Sequence, residues 1–146
     1  MTAADLALTR ASIMNHEALS LKLAPDDNGT WQIGYGRNLN TDGITIAEAN
    51  LLLDNDMATR QIQLAQAWAP FATCPGPVQR VLLEMSYQEG VDGLLGFTEM
   101  LHAIVAKDYI TAAAEALNSH LATETPSRAQ FYAATLRSAN VLSNPA

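Results

Sequence analysis

Residues 17–38 read Glu17-Ala-Leu-Ser-Leu-Lys-Leu-Ala-Pro-Asp26-Asp-Asn-Gly29-Thr-Trp-Gln32-Ile-Gly34-Tyr-Gly36-Arg37-Asn38, and this stretch decides the fold. Leu19, Leu21 and Leu23 alternate with Ser20, Lys22 and Ala24, the period of a half-buried strand. Pro25 to Gly29 is a turn cluster, and Trp31 to Gly36 resumes the alternation, so a β-hairpin is expected here. On its N-terminal side, residues 3–16 read as a helix, with Leu6, Ile13 and Met14 among small helix formers.

Everything downstream reads as helix. Thr45-Ile46-Ala47-Glu48 has the capping-box form, a hydroxyl followed three residues later by Glu, and opens a helix expected to reach about Trp68. Cys74-Pro75-Gly76-Pro77 breaks the chain before an apolar helix over 78–88, and Gly90, Gly93 and Gly96 punctuate the next turn. Thr98 is expected to cap a helix to about Ala106, and Asp108 another over 109–117. Thr125 followed by Pro126 is expected to open the last helix, running to about Arg137, with a frayed tail from Asn140. The fold class is therefore α+β, mainly α. A small β lobe over about 17–44 is joined by a linking helix over about 46–68 to a helical lobe made of 1–16 and 70–138, all within one domain of 1–146.

Composition narrows the partners. The chain has 146 residues, 49% hydrophobic and 16% charged, which suits one folded domain and not a disordered tail. Lys plus Arg number 8 against 15 Asp plus Glu, a net charge of −7 with no basic cluster, so neither nucleic acid nor an anionic membrane surface is expected as partner. Cys74 is the single cysteine, which removes an internal disulfide and a cysteine-built zinc site and leaves a small apolar filler. His16, His102 and His120 share no ligand spacing, so no metal is expected. The start has no basic region followed by an apolar core, and no run is long enough to span a bilayer. Synthesis in the cytoplasm without stable membrane insertion is the expectation.

The chemistry sits in the opening stretch. Glu17 falls at a helix end and Asp26 at a hairpin turn, so a strand running out and back lets two carboxylates face one site. Paired carboxylates are what glycoside hydrolysis requires, one protonating the leaving oxygen and the other acting from the opposite side. On spacing alone, two solvated surface acids are the simpler reading.

The surrounding letters go further. The run Glu17 to Leu39 closely resembles the N-terminal motif of the phage-type lysozymes, glycoside hydrolase family 24, the T-even phage type. The resemblance continues through Gly43-Ile44-Thr45, Glu48-Ala49 and Leu52 to Asp56, then the turn from Gly90 to Phe97. Asp108-Tyr109 to Ala114 and Thr125-Pro126-Ser-Arg128-Ala129 complete it, so that matched segments span about residues 12–138.

That resemblance implies roles residue by residue. Glu17 matches the general acid and Asp26 the carboxylate that holds the attacking water. As the family inverts, the two should stand about 6.5–9.5 Å apart. Arg128 matches an Arg that reaches the acid, and Arg37 with Asp56 a structural ion pair. Asn38, Tyr87, Gln88 and Met100 fall at positions expected to contact the glycan, Tyr87 equally well serving the core. The main departure is Gln32, where the family has a Thr that orients the water. Leu121 and Ala18 also replace a common Trp and Gly.

The implied function is a monomeric endolysin that hydrolyses the β-1,4 bond between N-acetylmuramic acid and N-acetylglucosamine in peptidoglycan. It would work without a cofactor, at a cleft between hinged lobes, and reach the wall by holin-type release or on a virion. Two alternatives stand beside it: a weakened, wall-binding relative and a lytic transglycosylase that uses Glu17 alone.

Overall fold

Thr2 opens the first helix, α1 (Ala3–His16), with a reciprocal cap: its hydroxyl accepts from the Asp5 N–H at 3.1 Å while the Asp5 carboxylate accepts from the Thr2 N–H at 2.9 Å. The computed structural model describes residues 1–143, with side chains through Ala139. After α1 the chain turns extended at Glu17 and enters a three-stranded antiparallel sheet, β1 (Ser20–Pro25), β2 (Trp31–Gly34) and β3 (Arg37–Asn38), in that spatial order. The expected hairpin is present, but the run Trp31–Gly36 is not one strand. It breaks at Gly34 and turns through Gly36, both at positive φ (70° and 78°), which adds β3.

The leucine alternation in β1 gives the strand but not the buried face. Leu19, Leu21 and Leu23 are exposed, and Ser20 and Ala24 are the half-buried positions. The register explains the exchange. Ser20 pairs with Gly34 and Ala24 with Gln32, so β1 carries an irregularity that re-aims its side chains.

Thr45 and Glu48 cap α2 (Ile46–Ala67) as the capping box predicts: the Thr45 hydroxyl accepts from the Glu48 N–H at 3.2 Å, and Glu48 Oε2 accepts from the Thr45 N–H at 2.7 Å. A 3₁₀ turn, Ala69–Thr73, follows and was not anticipated. Cys74, half-buried, donates its thiol to the Pro70 carbonyl at 3.3 Å, and burial pushes that thiol's pKa up, as suits a filler.

α3 (Gly76–Leu95) is interrupted at Gly90, whose φ of 77° and ψ of 167° lie outside the helical region, so the helix expected over 78–88 ends near that glycine, as read, and a second helical stretch follows it to Leu95. Then come α4 (Thr98–Val105), α5 (Tyr109–Leu117), α6 (His120–Glu124) and α7 (Pro126–Ser143). Asp108 caps α5 as expected, accepting from the Thr111 N–H at 3.0 Å. Thr98 does not cap α4, for Phe97 stands at that position. Thr125 stands just before α7 as expected, its carbonyl accepting from the N–H groups of Arg128 and Ala129 at 3.0 and 3.1 Å, but its hydroxyl turns back to the Leu121 carbonyl at 3.3 Å and closes the unanticipated α6. The backbone stays helical through Ser143 where fraying was expected, and residues 144–146 lie outside the described residues.

The molecule is thus mainly helical with a small N-terminal sheet, the α+β class read from the sequence. Contacts group residues 1–52 into one compact unit and the chain from Leu53 onward into another, so α1 belongs with the sheet. The second unit holds the core, including Leu82, Met85, Leu94, Met100, Leu121, Tyr132 and Leu136, each at most 1% exposed. Each such Leu contributes about 1.5–3 kcal/mol by leaving water. Among the described residues no helix is long and apolar enough to cross a membrane.

Candidate active site

In the first unit, the local fold brings Glu17, Asp26 and Gln32 together. Glu17 ends α1, its N–H still bonded to the Ile13 carbonyl at 2.8 Å, which fixes where its side chain departs. Asp26 stands at the β1–β2 turn. Its Oδ1 accepts from the N–H groups of Asn28 and Thr30, both at 2.8 Å, so the turn backbone clamps one carboxylate oxygen. The other oxygen, Oδ2, accepts from Gln32 Nε2 at 3.1 Å. A carboxylate offers no donor, so the amide must present its NH₂ to Asp26 and its carbonyl oxygen elsewhere.

Gly36 shows where that oxygen goes. A Cβ built on Gly36 would stand 3.6 Å from Glu17 Oε2 and 3.8 Å from Gln32 Oε1. The acid and the amide oxygen therefore both approach Gly36, where no side chain stands in the way. Its φ of 78° also favours glycine. Gln32 is half-buried in β2, opposite Asn38 of β3, and reaches from one carboxylate toward the other.

The remaining candidates fall into three situations. Asn38 turns its side-chain oxygen to the N–H groups of Asn40 and Thr41, at 2.9 and 3.2 Å, so it shapes the loop and keeps only its NH₂ for a ligand. In the second unit, Arg128 Nη1 donates to Gln88 Oε1 at 2.6 Å, tying α7 to α3, and Tyr87 beside it is exposed. Met100 is different. At 1% exposure it lies in the core with Leu101, Ala103 and Ile104 of the amphipathic α4, and its role is packing, not contact with a glycan.

The ion pair expected between Arg37 and Asp56 also needs correction. Arg37 Nη1 meets Glu48 Oε1 at 2.7 Å, and its Nε donates to the Gly43 carbonyl at 2.7 Å. Glu48 is already fixed in the α2 cap by its other oxygen, so a carboxylate stands ready near β3 without recourse to Asp56.

Two residues near Arg128 escaped the sequence reading. Tyr132 is four positions after Arg128 on α7, and Glu84 four before Gln88 on α3; that spacing places each pair on one helix face. Tyr132 is fully buried, and its phenol is pushed up to about 12, first by burial and then by the Glu84 carboxylate, with Arg128 pulling the other way.

An Asp carboxylate bonded to an amide, with a Glu carboxylate approaching the same glycine, thus sits on a small sheet in a chain whose remainder is helical. The family model described as phage lysozyme matches residues 14–130, most of the chain, and the chain belongs to the phage lysozyme family. Among individual curated proteins none matches. Membership points to a peptidoglycan-lysing enzyme with glycosidase activity.

Proposed function

We propose that this protein is an endolysin of glycoside hydrolase family 24, of the T-even phage type, cleaving the β-1,4 bond between N-acetylmuramic acid and N-acetylglucosamine. The observation that carries the reading is the grouping of Glu17, Asp26 and Gln32 about Gly36, with the Gln32 NH₂ on Asp26. Glu17 protonates the glycosidic oxygen as the bond breaks. Asp26, with one oxygen clamped by the turn, uses the other to take a proton from a water that attacks the anomeric carbon. Gln32 stands where the family motif has a Thr whose hydroxyl orients that water, and its longer side chain does so less well, which slows the enzyme.

Arg128, Tyr87 and Gln88 keep the roles that the family motif gives them, and Asn38 offers its NH₂ to the sugar. No step calls for a cofactor. The enzyme works as a monomer, and a holin-type release or a virion carries it to the wall.

Products decide the mechanism. Water attack from the face opposite the leaving group inverts the anomeric carbon, so proton NMR of a glycan digest, read before mutarotation, gives the α anomer first. A β anomer appearing first would mean that Asp26 forms a covalent intermediate. Anhydro-muramic ends in the mass spectrum would mean a transglycosylase using Glu17 alone.

A further inference from the structure

Tyr132 poses a question that packing does not answer. Its side chain is fully buried in the helical core, yet its hydroxyl oxygen makes no well-formed hydrogen bond among the described residues, the Glu84 carboxylate standing only loosely within reach. Burying an unsatisfied polar group is destabilising, and phenylalanine would fill the same space without that cost. Retained buried polar groups of this kind mark places where a sequence serves something besides stability.

The surroundings say what that is. Arg128 and Tyr132 lie one turn apart on α7, and Glu84 and Gln88 one turn apart on α3. The 2.6 Å bond from Arg128 to Gln88 sets the two faces opposite each other, which leaves Tyr132 and Glu84 as the second facing pair. Glu84 and Arg128 both act electrostatically on the phenol, with Glu84 the stronger. Glu84 is exposed, so its carboxylate is free to swing about its own side-chain bonds onto the phenol O–H.

We propose that Tyr132 and Glu84 are positioning residues for the Arg128–Gln88 pair: the buried phenol donates to the Glu84 carboxylate, and Glu84 so held fixes the orientation of the Arg128 guanidinium. The guanidinium then has an amide oxygen on one side and a carboxylate on the other, two acceptors matched to its planar fork. Glu89, which also acts on the phenol, is engaged elsewhere by His120 at 3.3 Å and does not compete for it. The inference rests on the proposed muramidase reading, in which Arg128 serves the reaction.

The test uses the full chain with Tyr132→Phe, Glu84→Ala and Glu84→Gln. Tyr132→Phe should leave the melting temperature unchanged or raised while lowering saturated turnover on peptidoglycan about tenfold at unchanged KM, as loss of orientation and not of binding requires. Glu84→Ala should match it, and Glu84→Gln, which keeps an acceptor for the phenol, should recover most of the rate.

The second readout needs no activity. Nitrogen-15 NMR of the Arg128 Nε–H should report slow guanidinium rotation in the parent protein, and faster rotation in Tyr132→Phe and Glu84→Ala. Unchanged rotation in both variants overturns the proposal, as does a melting temperature that falls in step with turnover. A parent protein that cleaves no peptidoglycan would refute the muramidase reading instead, and the rotation data would then decide the positioning of Arg128 alone.

Discussion

Gln32→Thr probes the residue least at home in its motif. In the structure the amide gives its NH₂ to Asp26 Oδ2 at 3.1 Å while its carbonyl oxygen, like the Glu17 carboxylate, approaches Gly36, so the longer side chain takes up room beside Asp26. Replacement by Thr loses one bond from a neutral donor to a carboxylate, worth at most about 1.5–3 kcal/mol. Because Gln32 is only half-buried, the loss in stability should stay near 1 kcal/mol, partly offset by the better strand propensity of a β-branched residue.

The effect on rate has the opposite sign. Displacing a reactant by about 1 Å can cost about 100-fold, and a compact hydroxyl that holds the water closer to Asp26 should recover about tenfold of that. The assay is clearance of purified peptidoglycan, with cosedimentation as the measure of wall binding, which should be unchanged. Gln32→Ala is the control: it opens the same space without supplying a hydroxyl and should stay slow. A drop in turnover for Gln32→Thr, to the level of Gln32→Ala, would refute the reasoning and make the Gln32 oxygen an adapted holder of the water.

Two further perturbations test the frame around the site. The Glu48 carboxyl is held below its ordinary 4.5, first by the Thr45 N–H, then by the Thr45 hydroxyl, with Arg37 adding to it. A depressed folded pKa means that the cap is stabilising above that value and is lost as pH falls through the lower, folded one. Amide exchange over residues 46–49 should therefore accelerate on acidification, and Glu48→Gln should abolish that dependence; an unaltered acid response in the variant would discount the cap. Gly90→Ala forces a side chain into φ 77°, ψ 167° with nothing within 4 Å to clash, so the cost is backbone strain alone, about 1–3 kcal/mol in urea unfolding. A neutral result would mean that the kink relaxes into continuous helix.

Legibility followed the range of the interactions. α2 and α5 could be read because Thr45 with Glu48, and Asp108, satisfy orphan N–H groups within one turn of chain. The Glu17–Asp26–Gln32 grouping could be read because all three lie within one short stretch whose turns are local. The failures are competitions that local letters do not settle. Thr125 had two helix ends within reach of its hydroxyl and closed the earlier one. Arg37 had three acids on the following helix, Glu48, Asp54 and Asp56, and took the one already pinned by a cap. Met100 fitted a motif, but the periodicity of α4 turned it into the core. Tyr132 and Glu84 meet only because α3 packs on α7, a contact across dozens of residues with no sequence signature beyond two i, i+4 spacings.

The central claim is that Glu17 supplies the proton to the breaking glycosidic bond, and Glu17→Gln addresses it most directly. The substitution keeps the shape of an exposed side chain at the end of α1 and removes its acidic proton, so the melting temperature should barely move. Release of reducing ends from purified peptidoglycan should fall by about three to four orders of magnitude, with wall binding intact, as loss of a general acid in the transition state requires. Hydrolysis within tenfold of the parent rate would contradict the account, since no proton donor at Glu17 would then be needed.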